Sequence, residues 1–85
     1  MEQEAVIVTL IKNELGFKKG MKVWVLGYGI GKISEINNDD YFRVEILFED
    51  RAYQDFYPFD KEQDQIFDAS KVTKGVKKIM IEFDI

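Results

Sequence analysis

Apolar and polar residues alternate most regularly in two segments of the chain, residues 42–48 and residues 79–85. Such alternation is the pattern of a β-strand with one buried face. The apolar face holds Phe42, Val44, Ile46 and Phe48 in the first segment and Ile79, Ile81, Phe83 and Ile85 in the second. Together with neighbouring segments, these strands predict a core of Val23, Val25, Ile33, Phe42, Val44, Ile46, Phe48, Ile79, Ile81 and Phe83.

The N-terminal segment has a different apolar spacing. Its apolar residues are one, three and four positions apart, at Val6, Ile7, Leu10, Ile11 and Leu15. This spacing predicts a helix over residues 3–15, which Gly16 would end. The β-branched residues 6–9 favour a strand instead, but strict alternation is absent, so the helix is the prediction.

The rest of the chain consists of short apolar segments separated by turn residues. The segments MKVWVL, KISEI and AYQDFYPF read as strands, and Pro58 ends the last of them. Residues 66–75 fit either a short strand with a turn or a helical turn capped at Asp68 or Ser70. Five or six short strands within about 65 residues predict a small barrel or a strongly bent antiparallel sheet.

Glycines at positions 27, 29 and 31 lie between two predicted strands. A phosphate-binding loop needs Gly-Lys followed by Ser or Thr, whereas Ile33 follows Gly31 and Lys32. A dinucleotide-binding loop would open a helix, but strand residues follow here. The glycines therefore predict a sharp corner between strands, where they allow a positive φ.

Residues 17–36 and the segment VEILFED at residues 44–50 resemble the opening of small SH3-like barrels of the Tudor, KOW and CarD kind. The resemblance implies a mainly β fold: an SH3-like (Tudor-like) small barrel of five or six antiparallel strands with one N-terminal α-helix. Residues 1–85 would form a single domain, with the helix in 1–16 and the barrel in 17–85. This chain departs from the pattern at Asp50 and Arg51, where a glycine is usual, and residues 1–16 have no counterpart.

The amino-acid composition excludes several kinds of chemistry for this protein. The 85 residues include no Cys and no His, which excludes disulfides, thiol chemistry and the commonest zinc ligands and general base. Carboxylates are abundant, but no spacing singles out a catalytic pair or a Mg²⁺ site, so no catalytic residue, metal or cofactor is predicted. The acidic N-terminus does not resemble a signal peptide. We expect a soluble, small acidic protein of the cytoplasm.

The chain has more aromatic residues than a small core needs. In Tudor domains, which this sequence resembles, an aromatic cage sits at the first corner and the following hairpin. The matching hypothesis is a cage that holds a cationic side chain, formed by Trp24, Tyr28, Tyr53 and Tyr57. Asp50, Asp55 and Asp60 would favour the same cation. The alternative is that these rings only pack in and around the core.

Charge is unevenly distributed. Residues 23–70 hold four basic and eleven acidic residues, a net charge of −7 within a total of −4. Seven lysines flank the first and last barrel strands, which are neighbours in SH3-like barrels, and would form one basic patch: Lys18, Lys19, Lys22, Lys71, Lys74, Lys77 and Lys78. Such a patch would suit nucleic acid or an acidic protein, although surface lysines are usually only solvated.

The sequence therefore predicts a non-catalytic, intracellular protein-interaction module or regulator. The resemblance to CarD-type regulators and to Tudor-like domains of bacterial helicases implies a link to transcription, repair or replication machinery. The alternative is a nucleic-acid-binding SH3-like domain that uses the lysine patch of residues 18–22 and 71–78. A monomer is favoured over a homodimer, which would form through the N-terminal segment or the last strand.

Overall fold

A computed structural model describes residues 5–60, 64–73 and 78–82. The described residues form seven strands and one 3₁₀ turn, Glu14–Gly16. The strands are β1 (Ala5–Leu10), β2 (Lys22–Val25), β3 (Gly29–Asn38), β4 (Phe42–Phe48), β5 (Gln54–Phe56), β6 (Ile66–Asp68) and β7 (Lys78–Glu82). Among these residues no helix is long and apolar enough to cross a membrane.

All seven strands belong to one sheet, in the order β5-β4-β3-β2-β6-β1-β7. Strands β2 to β5 form an antiparallel meander, β6 pairs antiparallel with both β2 and β1, and β7 runs parallel to β1. The described part of the chain thus forms an open, mixed sheet. The prediction of mainly β structure is confirmed, whereas the expected five or six purely antiparallel strands become seven strands with one parallel pair.

The predicted N-terminal helix is wrong. Residues 5–10 form β1, whose Val6 and Val8 are buried while Ile7 and Thr9 are exposed. The β-branched residues favour this extended backbone. The partners of β1 lie far away along the chain, at residues 66–68 and 78–82, so local spacing alone did not reveal them.

The meander follows the sequence closely. Strand β4 has the predicted bounds and buries Val44, Ile46 and Phe48. The glycine corner joins β2 to β3: Gly27 and Gly29 have φ values of 86° and 98°, and Tyr28 N donates to Val25 O. Strand β5 ends two residues before Pro58, as expected. Residues 66–68 adopt the strand alternative, followed by a turn in which Ser70 N donates to Asp68 Oδ1.

Two apolar cores lie on opposite faces of the sheet. Alternate residues of β2 contribute to them: Val23 and Val25 enter one core and Trp24 packs against the other. The meander core comprises Phe17, Val23, Val25, Ile33, Val44, Ile46, Phe48, Phe56 and Ile66. The second core comprises Val6, Val8, Phe67, Ala69 and Val72.

The predicted core was partly right. Six of its ten residues are buried: Val23, Val25, Ile33, Val44, Ile46 and Phe48. Phe42 and Ile79 are only half-buried, and Ile81 is exposed because β7 lies at the edge of the sheet. Phe83 lies outside the described residues. The prediction included Ile79, which packs against the second core, but none of that core's five buried residues, and it assigned Val6 and Val8 to a helix.

Candidate functional site

Three exposed tyrosines lie around β4 and β5. Tyr41 immediately precedes β4, while Tyr53 and Tyr57 flank β5 on its two sides; they are 64%, 58% and 38% exposed. Tyr41 and Tyr57 line one shallow groove, whose other lining residues are Asn37, Asp39, Asp40 and Arg43. The strand pattern explains this placement, because Tyr53, Asp55 and Tyr57 alternate with Gln54 and the buried Phe56.

Carboxylates surround these tyrosines. Asp39 and Asp40 lie in the β3–β4 turn, and Glu45 and Asp55 are register partners on β4 and β5. Arg43 is the basic residue among them, and its Nη1 lies 3.2 Å from Asp55 Oδ2. We call the surface formed by Asp39, Asp40, Tyr41, Arg43, Glu45, Tyr53, Asp55 and Tyr57 the tyrosine face.

Local hydrogen bonds fix the rim of this face. Ser34 Oγ donates to Glu45 Oε1 at 2.8 Å, which holds one carboxylate against β3. Tyr57 N donates to Asp64 Oδ2 at 2.9 Å, which holds Asp64 next to the end of β5. The tyrosine face thus presents aromatic rings and negative charge from a defined backbone.

Exposed tyrosines beside carboxylates offer contact area and charge to a partner. Tyrosine offers a large, rigid contact area with a polar tip, which is why it is frequent at binding surfaces. Its ring face and the surrounding carboxylates both attract cations. Within residues 5–60, 64–73 and 78–82, no three acidic residues converge as a metal site would require.

Comparisons with protein-family models, curated proteins and solved structures find no match.

The structure separates the four residues of the predicted aromatic cage. Trp24 packs on Phe67 of the second core, with ring centroids 5.5 Å apart. Tyr28 packs against the meander core on the opposite face, where it stacks on Phe48 with ring centroids 5.7 Å apart. Tyr53 and Tyr57 are exposed beside β5. The turn at Gly27 contributes to the separation, because β2 ends before Tyr28 and Trp24 and Tyr28 therefore do not lie on one strand.

A cation of the chain itself already lies over Tyr28. The Arg51 guanidinium carbon is 5.6 Å from the Tyr28 ring centroid and 5.4 Å from that of Phe48. Arg51 also donates to both carboxylate oxygens of Asp50, at 3.0 and 3.1 Å. This hydrogen bonding lowers the pKa of Asp50 and raises that of Arg51. Arg51, paired with Asp50, thus lies over both aromatic rings.

The predicted lysine patch is also divided in the structure. Strands β6 and β1 lie between β2 and β7, so Lys22 and Lys78 are on strands that are not neighbours. Lys19 Nζ pairs with Glu35 at 3.0 Å, and Lys22 Nζ donates to Val72 O at 2.7 Å. Lys18 and Lys71 are exposed, and Lys74 and Lys77 lie outside the described residues. Lys22 therefore lies beside the 69–73 turn that carries Lys71.

Tyr41 is the residue that the cage prediction missed. It precedes Phe42 and shares the parity of Arg43 and Glu45, the polar side of the most regular strand in the sequence. An aromatic residue on a polar strand face is the signal that would have identified it.

Proposed function

We propose that this protein is a non-catalytic interaction module that binds a protein partner through the tyrosine face. The observation that carries the proposal is the exposure of Tyr41, Tyr53 and Tyr57 on an acidic surface. Buried aromatic rings would contribute only to stability, whereas these rings are available to a partner.

The chemistry of the surface suggests the kind of partner. Four carboxylates, on Asp39, Asp40, Glu45 and Asp55, accompany one guanidinium, so lysine or arginine side chains would complement the face. Tyrosines supply the contact area that an interface needs at its centre, and rim charges guide association. Arg43, held by Asp55, would discriminate against partners that place a cation at that point.

A relationship to small SH3-like barrels of the Tudor, KOW and CarD kind is part of this proposal. It is supported by β2, the glycine corner, β3 and the β3–β4 hairpin, which follow one another as in the resembled pattern. That relationship would connect the partner with transcription, repair or replication machinery. Because one fold hosts many functions, the partner must be identified by experiment.

The test is affinity capture from cells of the source organism, with nuclease present, using three forms of the protein. These are the wild type, a Tyr53→Ser/Tyr57→Ser variant and a Lys18→Ser/Lys71→Ser control that alters exposed lysines instead. A partner that the wild type and the lysine control retain, and the tyrosine variant loses, supports the proposal. Thermal unfolding of all three forms checks that each remains folded.

Two results would contradict the proposal. Capture that survives the tyrosine substitutions would place the contact elsewhere. Capture that nuclease and the lysine substitutions abolish would instead favour nucleic-acid binding, the alternative function. Salt separates the two cases further, because binding to phosphates weakens steeply with added salt in proportion to the phosphates neutralised.

A further inference from the structure

The two edges of the sheet differ in how far they are protected. Strand β5 has three residues, its following amide donates to Asp64, and Pro58 then lacks an N–H group. Strand β7 has five residues and, among the described residues, pairs only with β1. A regular edge strand presents unpaired backbone donors and acceptors that can bind another strand.

Apolar side chains are exposed at the β7 edge. Met80 is 46% exposed, and it lies beside Ile7, its register partner on β1, which is also exposed. On the other face, Ile81 is 38% exposed, while Ile79 packs against the second core. Both faces of β7 thus carry apolar surface that a further strand would cover.

The sequence of β7, Lys-Ile-Met-Ile-Glu, is complementary to itself when it is reversed. We propose that two copies of this protein pair through β7, antiparallel and centred on Met80. Lys78 of one copy then lies opposite Glu82 of the other, Ile79 lies opposite Ile81, and the two Met80 residues face each other. An antiparallel pair about a two-fold axis is the arrangement that symmetric dimers require.

The charges favour this register over its neighbours. Within residues 78–82, shifting the strands by two residues leaves no Lys78–Glu82 pair and places Lys78 or Glu82 opposite Met80. Shifting by four residues brings Lys78 against Lys78, or Glu82 against Glu82, and like charges directly opposite each other are destabilising. Lys78 and Glu82 thus have two effects. They disfavour pairing of the β7 edge with strands that lack complementary charges, and they favour pairing with a second copy of the chain.

The proposal is independent of the tyrosine face, which lies at the opposite end of the sheet. In the dimer, Ile79 and Ile81 of the two copies would extend the second core across the two-fold axis. The two tyrosine faces would remain exposed at the far ends of one continuous sheet.

Sedimentation equilibrium from low micromolar to several hundred micromolar protein tests the pairing. The wild type should approach twice its 10.0 kDa mass. Lys78→Glu and Glu82→Lys should each weaken self-association by roughly tenfold or more, because each places like charges in both cross-strand positions. Lys71→Glu is the matched control, since it makes the same charge change at an exposed turn outside β7.

Two further samples keep the test decisive. An equimolar mixture of the Lys78→Glu and Glu82→Lys variants should associate, because each strand then faces opposite charges. The double variant, Lys78→Glu with Glu82→Lys, should recover self-association for the same reason. A wild type that stays at 10.0 kDa throughout would overturn the proposal. So would a dimer that neither single variant weakens, or variants that the mixture fails to restore.

Discussion

The two halves of the sheet are built in different ways. Strands β2 to β5 follow one another along the chain and pair in that same order. Strand β1 instead lies between β6 and β7, both distant from it in sequence, and β1 with β7 is a parallel pair. The first half depends on local turns, whereas the second depends on pairings that no local signal specifies.

The difference explains which elements were predicted correctly. A strand buried on one face alternates apolar and polar residues, as β4 does. Strand β1 instead reads Ala-Val-Ile-Val, because both of its faces carry apolar side chains. Strands in parallel pairs often read as continuous apolar runs. Such a run shows no alternation of apolar and polar residues, so the two-residue period of a strand cannot be recognised in it. The helical spacing of the apolar residues in this segment was then the strongest remaining pattern.

The largest effect is expected from the meander core. Ile46→Ala should lower the free energy of unfolding by about 2–5 kcal/mol, because this fully buried side chain lies at the centre of that core. Leu47→Ala, on the exposed face of the same strand, should cost below about 1 kcal/mol. Urea denaturation measures both, and similar costs would mean that the buried face of β4 is assigned incorrectly.

The second half of the sheet allows the same comparison on β1. Val8→Ala should cost about 1.5–3 kcal/mol, since Val8 is fully buried in the second core. Ile7→Ala, on the exposed face, should cost less than about 1 kcal/mol at low protein concentration. An Ile7 effect larger than that of Val8 would be incompatible with β1 as a strand.

A smaller effect should follow from crowding between β3 and β4. A Cβ atom at Gly31 would lie 2.6 Å from Ile46 Cγ2 and 2.9 Å from Phe48 Cδ1. Gly31→Ala should therefore cost about 1–3 kcal/mol. At Gly27 the space around an added Cβ is open, so a cost of Gly27→Asn would come from its φ of 86° and not from crowding. Thermal unfolding measures both variants, and a neutral Gly31→Ala would refute the close approach.

The smallest effect concerns Asp50 and Arg51. Hydrogen bonding to Arg51 lowers the pKa of Asp50 below its ordinary value of 3.8, so the pair contributes stability above that value. The contribution is lost as the pH falls through the lowered pKa. Carboxyl NMR titration should show the pKa of Asp50 rising in an Arg51→Gln variant. The same titration of the urea-unfolded chain supplies the reference, and an unchanged pKa would show that the pair does not form in solution.

The candidate site follows from the sequence less directly than the fold does. Tyr53 and Tyr57 were named in the cage hypothesis, because surplus aromatic residues beside acidic ones stand out in a small chain. Both are exposed in the structure, and their role in binding stays a prediction. Trp24 and Tyr28 were grouped with them because the resembled Tudor domains carry a cage at the first corner, whereas here Trp24 lies on β2 and Tyr28 lies beyond the turn at Gly27. The covering of Tyr28 by Arg51 could not be predicted either, because a long side chain is placed by its tertiary surroundings.

The parallel pair of β1 with β7 also sets the order in which the fold is completed during synthesis. Ala5 and Lys78 are register partners that lie 73 positions apart in the chain. At about 5–20 residues per second, the ribosome needs about 4–15 s to make the intervening chain. The meander can form within that interval, because its strands are consecutive. Val6 and Val8 have no strand to pair with until β6 and β7 have been synthesised. During that interval the emerging chain exposes an apolar, β-branched segment that chaperones can bind.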